Sequence, residues 1–175
     1  MKIILLFSIS ALSFFNTSHS KIPLKNGEGL EVESKTTTIH SNLSFIVVCE
    51  GDTLALTDAI LSDYINELKQ FKPGYQFRDF ELKSNEHKGG TDYFIVGMDG
   101  SHTAMAALEV VELNTRYARL DGMRSVVCIR QNESDCVPSF ENGIFSCVPS
   151  KKEDGCTKTE TLTMNNTSLC ELAFN

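Results

Sequence analysis

Five of the six cysteines fall between Cys128 and Cys170, and this crowding constrains the fold more than any other feature of the chain. The segment around them is poor in large apolar residues and rich in Asn, Ser, Thr, Asp and Glu. Such a stretch buries too little surface to offset the entropy of ordering it, so it needs covalent crosslinks. An even number of cysteines in an exported chain reads as disulfides. Cys49, Cys128, Cys136, Cys147, Cys156 and Cys170 are therefore all disulfide candidates. At least one bond is expected to tie the tail to the rest of the chain through Cys49 or Cys128. Spacing alone does not choose among the connectivities.

Export is read from the N-terminus. Lys2 supplies a positive start, Ile3 to Phe15 is a nearly unbroken apolar run, and Ser18-His19-Ser20 places small residues at the cleavage positions. The run is shorter than the roughly 20 residues a helix needs to span a bilayer, and Asn16-Thr17-Ser18 follows it. A signal peptide over 1–20 is expected, with the mature chain starting at Lys21, no later membrane span and a secreted or periplasmic location. Removing 20 of the 175 residues leaves 155, enough for one domain or a domain with an appendage. The net charge is −7, and loss of Lys2 makes it −8. The bases form no stripe, and Lys151-Lys152 is followed at once by Glu153-Asp154. Nucleic acid and anionic membrane surfaces are therefore poor partners, and none of either kind is expected.

Residues 21–40 form a polar lead-in with room for one edge strand. A body over 41–127 follows. Phe45 to Val48 is a short apolar run ending at Cys49, which reads as a buried strand with Cys49 inside. Ile60, Leu61, Tyr64, Ile65, Leu68 and Phe71 recur at helical spacing, and predict a helix over 53–71 that starts near Asp52, Thr53, Thr57 and Asp58 and stops at Pro73-Gly74. Tyr75, Phe77, Phe80 and Leu82 change phase near Arg78-Asp79, as a bulged strand does. A polar loop is expected from Ser84 to Gly90, then strands at Tyr93–Met98, Thr103–Leu113, Arg116–Leu120 and Ser125–Ile129, with turns at Asp99-Gly100, Asn114-Thr115 and Asp121-Gly122.

Strand, helix, then a series of strands predicts an α+β class, with one helix packed on an antiparallel sheet, followed by a disulfide-rich β-hairpin tail over 128–175. That order also occurs in cystatin-like protease inhibitors, but their Gln-x-Val-x-Gly loop is absent here and the chain has no Trp. In the tail, Asn142-Gly143 reads as a two-residue hairpin turn that sets Glu141 against Ile144, Phe140 against Phe145, Pro138 against Cys147 and Cys136 against Pro149. Cys136 and Cys147 then do not face each other, which argues against a bond between them. Thr157 to Thr163 alternates as a last strand.

No spacing announces a reaction. Zinc needs clustered ligands, and C-x-x-C, H-x-x-x-H and H-E-x-x-H are missing. His40, His87 and His102 are scattered. Asp99, Ser101 and His102 have the residue types of a hydrolytic triad, but neighbours on one turn cannot hand a proton along in the needed order. Turn chemistry is the better reading. Cys49 with His87 or His102 has the types of a thiolate pair, against which a disulfide is favoured. Asp58, Asp63 and Glu67 fit the wet face of the helix. Asn42, Asn132, Asn165 and Asn166 begin glycosylation sequons. No catalytic residue, metal ligand or cofactor site is expected.

Cys136-Val-Pro-Ser-Phe-Glu-Asn-Gly-Ile-Phe-Ser-Cys147 and Gly155-Cys156-Thr-Lys-Thr-Glu-Thr resemble the tail of small uncharacterised cysteine-rich exported proteins of Gram-negative bacteria. In those tails C-x-P, an aromatic-x-C and C-T-K-T recur behind a signal peptide. Ile129-Arg130 and Val148-Pro149 stand here where such tails often carry further cysteines, so the pairing stays open. The resemblance implies export and disulfides and brings no catalytic residue. The expected function is a non-catalytic binding or adhesion module acting on an unknown protein or cell-surface partner; a small secreted hydrolase and a protease-inhibitor-like protein are the alternatives. Phe140, Ile144 and Phe145 at the hairpin tip are the candidate contact surface, unless they pack onto the disulfides as a miniature core.

Overall fold

The computed structural model describes residues 35–39, 43–69, 75–131, 135–149, 155–162 and 167–174. The expected signal segment, most of the lead-in, His40, Pro73-Gly74 and the four sequon asparagines lie outside them. In chain order the elements are β1 (Lys35–Ile39), β2 (Ser44–Cys49), β3 (Asp52–Ala55), α1 (Asp58–Lys69), β4 (Phe77–His87), β5 (Gly90–Asp99) and β6 (Ala104–Glu109). They continue with β7 (Glu112–Leu113), β8 (Tyr117–Arg119), β9 (Arg124–Arg130), β10 (Cys136–Glu141), β11 (Ile144–Pro149), β12 (Cys156–Leu162) and α2 (Thr167–Phe174).

The α+β expectation is corrected. Strands hold 62 % of the described residues and helices 15 %, so the described part is mainly β, with two short helices and three sheets. Part of the error lies at residues 53–55, which the start signals Asp52 and Thr53 placed in the helix and which belong to β3. Glu50 and Gly51 take positive φ values of 51° and 98° and turn the chain back as a two-residue hairpin, so Asp52 to Ala55 pairs with β2. The helix begins after Thr57, whose hydroxyl accepts the Ile60 N–H at 3.3 Å. A second error is α2, where no helix was expected. A third lies at 84–87, which continue β4 instead of forming a loop, because buried Ser84 and Asn85 carry polar atoms inside the structure.

A six-stranded antiparallel sheet runs in the order β1-β4-β5-β6-β9-β12. Its first face carries Leu82, Ile95, Ala106, Leu108 and Val127. Leu61, Tyr64 and Ile65 of α1, Leu169 of α2, Val47 and Ala118 of the small sheet β3-β2-β8-β7, and Leu120 just after β8 share that core. The small sheet arises because the run expected as one strand over 103–113 changes sheet at Val110-Val111. Val110 N–H bonds the Tyr93 carbonyl while Val111 N–H bonds the Arg119 carbonyl. The second face carries Phe94, Val96, Ala107, Val126 and Cys128, and the β10–β11 hairpin covers it.

Two details fix how α1 sits. The bulge between Arg78 and Glu81 frees the Asp79 N–H, which donates to Asp58 Oδ2 at 2.6 Å. Tyr64 donates its hydroxyl to the Gly122 carbonyl; Gly122 has φ +70°, and a Cβ there would stand 2.5 Å from that hydroxyl oxygen.

All six cysteines are paired: Cys49–Cys170, Cys128–Cys147 and Cys136–Cys156. Cys49 is buried as expected, and its bond fastens α2 to β2 across a separation of 121 residues. Removing it as Cys49→Ala with Cys170→Ala is expected to cost about 2–5 kcal/mol, since long closed loops restrict the unfolded chain most. Denaturant unfolding under non-reducing conditions measures it, and an unchanged midpoint would contradict the role. Gly97 gives an independent test of packing, because a Cβ there would lie 2.7 Å from the Phe80 ring. Gly97→Ala should cost about 1–3 kcal/mol through overpacking. Phe80→Leu should reduce that penalty in a double-mutant cycle.

Candidate functional site

The hairpin has the register that Asn142-Gly143 dictates, with Glu141 opposite Ile144, Phe140 opposite Phe145, Pro138 opposite Cys147 and Cys136 opposite Pro149. Asn142 and Gly143 have φ values of 52° and 74°, the conformation a two-residue turn between twisted strands requires. Alternation then sends Cys136, Pro138, Phe140, Phe145 and Cys147 toward the large sheet and Val137, Ile144 and Val148 away from it.

Of the three candidate contact residues, two are withdrawn from the surface. Phe140 and Phe145 are 2 % and 0 % exposed, whereas Ile144 is 64 % exposed. The rings of Phe140 and Phe145 lie 4.3 Å apart, and Phe94 meets them edge-on at 6.1 and 6.2 Å. They pack on the sheet as well as beside Cys128 and Cys136, so the core they join is larger than a disulfide knot.

The hairpin's carbonyls are held by side chains of the large sheet. Asn85 is fully buried and donates Nδ2 to the Phe140 carbonyl at 2.8 Å and to Ser139 Oγ at 2.9 Å. Arg124 donates its guanidinium to the Gly143 carbonyl, and Lys158 its ammonium to the Phe145 carbonyl. Cys128–Cys147 and Cys136–Cys156 add covalent ties from β9 and β12. Cys136 and Cys147 are not bonded to each other, as the register expects.

Arg124 organises one end of this layer. Its Nε lies 3.6 Å from Glu109 Oε2. Burial raises the Glu109 carboxyl above its ordinary range; Arg124 opposes that rise, and Asp121 and Asp92 reinforce it. Across the sheet Arg124 is the register partner of Leu162, and cross-strand partners share a face. Leu162 is 64 % exposed, like Ile144, which directly follows the Gly143 that Arg124 grips. Ile144 lies outward as the hairpin alternation expects, whereas the place of Leu162 is set by the long-range pairing of β12 with β9.

The residues weighed for catalysis are placed as follows. His87 Nδ1 accepts the Gly89 N–H at 3.1 Å. Its buried Nε2 stands 3.3 Å from Asp92 Oδ2, off the line of a good hydrogen bond. The described contacts of His87 are thus a backbone N–H and a carboxylate. Ser101 and Asp99 are bonded to each other within a turn, and His102 next to them is exposed with φ 56°. Cys49 has no thiol to offer. Asp63 and Glu67 are exposed on α1, and Asp58 holds the bulge. The sulfurs of Cys128, Cys136 and Cys147 lie within 4.8 Å of one another, but all are oxidised and none is a thiolate ligand.

Compared with protein-family models, curated proteins and solved structures, the chain matches none.

Asp99 gives this region a pH dependence. Its Oδ1 accepts the N–H groups of Thr103 at 2.7 Å and Ala104 at 2.6 Å, and its Oδ2 accepts the Ser101 hydroxyl and, at 3.1 Å, the Ser101 N–H. Burial raises its pKa, but the Ser101 hydroxyl and the three N–H donors outweigh burial and hold it below the ordinary carboxylate range. A depressed folded pKa stabilises the fold above the unfolded value and is lost as pH falls through the folded one. Asp99→Asn is expected to cost about 1–3 kcal/mol at neutral pH, since the amide nitrogen cannot accept from Ser101. The gap from the wild type should narrow below about pH 4. Parallel unfolding curves at every pH would contradict the assignment.

Proposed function

We propose that the chain is an exported, non-catalytic binding module that presents the Ile144 and Leu162 end of its hairpin-covered face to a protein or cell-surface partner. The observation that carries this reading is that two large aliphatic side chains, each 64 % exposed, flank one arginine on a layer immobilised by two disulfides. Water-exposed aliphatic surface on a rigid support favours docking, because little entropy is lost when a partner covers it. Val137 and Val148, 40 % and 42 % exposed and directly opposite each other, extend the apolar outer surface along the hairpin. The charged flank of Arg124 and Glu109 suits a partner that offers polar groups at the rim.

Support for a secreted or periplasmic location comes from the three disulfides, which persist in oxidising compartments, and from the signal-like N-terminus. No described helix is long and apolar enough to cross a membrane. The likeness of the tail to Gram-negative exported proteins points the same way.

Ile144→Ser with Leu162→Ser tests the surface. Both side chains are largely exposed, so the melting temperature should hardly change, while capture of partner on the producing cell by crosslinking should fall about tenfold or more, as loss of hot-spot side chains does. Equal capture by the double variant and the wild type would remove this end of the hairpin from consideration.

A further inference from the structure

We propose that Cys147 and Cys156 are the two ports of a thiol-exchange relay, in which a thiol that adds at one port releases a free thiol at the other through the buried pair Cys128 and Cys136. The two disulfides of the hairpin layer are not separate crosslinks. The sulfurs of Cys128, Cys136 and Cys147 all lie within 4.8 Å of one another, and Cys156 is bonded to Cys136. The two ends of this four-sulfur series belong to half-buried residues, Cys156 and Cys147, and the two inner members to buried ones, Cys136 at 4 % and Cys128 at 0 % exposure. An incoming thiol has less protein to displace at Cys156 or Cys147 than at either inner residue.

The exchange balances without net oxidation. A monothiol attacks Cys156 Sγ, the Cys156–Cys136 bond breaks, and its electron pair passes to Cys136 while a mixed disulfide forms on Cys156. The Cys136 thiolate is held in an apolar layer, where its charge is poorly solvated, and a second disulfide lies within reach. Attack on Cys128 Sγ breaks Cys128–Cys147, forms Cys136–Cys128 and delivers the electron pair to half-exposed Cys147, which takes up the proton the monothiol lost. Attack on Cys147 instead would leave the charge on fully buried Cys128, so solvation directs the exchange outward. Entry at Cys147 is the mirror route: the monothiol forms a mixed disulfide on Cys147, the electron pair of the broken Cys147–Cys128 bond passes to Cys128, and attack of Cys128 on Cys136 Sγ breaks Cys136–Cys156 and frees Cys156. The buried Cys128–Cys136 bond still joins β9 to β10, so the hairpin stays fastened throughout.

The site would take small monothiols of the glutathione class or an exposed protein cysteine. Cys49–Cys170 is an internal control, since its sulfurs do not belong to the three-sulfur group.

Limited treatment of the oxidised full chain with glutathione, acid quenching, alkylation and non-reducing peptide mapping tests the relay. The expected products carry glutathione on Cys156 and the alkyl label on Cys147, or the mirror pair, together with a Cys128–Cys136 linked peptide. Label on Cys136 with Cys128–Cys147 intact, label on Cys128 with Cys136–Cys156 intact, or no glutathione on either port would overturn it. Cys156→Ser adds a second readout: its odd thiol should be found mainly on Cys147, and an odd thiol confined to Cys136 counts against the relay. The wild-type mapping does not depend on how that variant folds.

Discussion

Both faces of the six-stranded sheet are apolar, and the rest of the architecture answers that single constraint. Ile95 and Val127 look one way while Phe94, Val96 and Val126 look the other, so neither face can be left to water. Burying large aliphatic and aromatic side chains contributes about 1.5–3 kcal/mol each, and one layer cannot supply that on both sides. The helices and the small sheet close the first face. Among the described residues the β10–β11 hairpin of the cysteine-bearing segment closes the second, so part of the stretch least able to fold alone is a structural layer of the whole.

A buried amide secures that layer. Asn85 is inaccessible to solvent, and its Oδ1 receives a short hydrogen bond from Thr36 of β1 while its Nδ2 reaches Ser139 and Phe140 of β10. A buried polar group without partners is costly, so such a residue admits few alternative arrangements of the strands around it. Edge strand β1, the sheet and the hairpin are thereby set relative to one another by one side chain. Disulfides limit how far the hairpin can move, and Asn85 helps to decide where it rests.

How much of this was legible depended on whether the signal was local. Asn142-Gly143 settled the hairpin register residue by residue, and Ile60, Leu61, Tyr64 and Ile65 marked α1. Glu50-Gly51 was an equally local turn signal, but the acids after it were read as helix starts and β3 was lost to α1. The second covered face was also written in the chain. Tyr93 to Met98 and Val126 to Cys128 are continuous apolar runs without polar alternation, the pattern of strands buried on both sides. Read that way, Phe140 and Phe145 already have a destination, and only Ile144 remains for the surface. Leu162 and the return of β12 to β9 had no local signature, since a threonine-rich alternation does not say which strand it will join. Asn85 and Ser84 were taken for a loop because periodicity weighs only apolar residues.

The order of the cysteines has a consequence for biogenesis. The three bonds are Cys49–Cys170, Cys128–Cys147 and Cys136–Cys156, and none of them joins cysteines that are consecutive along the chain. An oxidase that pairs thiols as they emerge from N-terminus to C-terminus would join Cys49 to Cys128 and Cys136 to Cys147, leaving each native partner stranded. The native set is reached only if Cys49, Cys128 and Cys136 stay reduced until Cys170, Cys147 and Cys156 are present, or if early pairs are reshuffled by a disulfide isomerase. Production of this protein is thus tied to the editing capacity of its compartment, and a host that oxidises quickly but isomerises poorly will accumulate full-length chains with the wrong bonds.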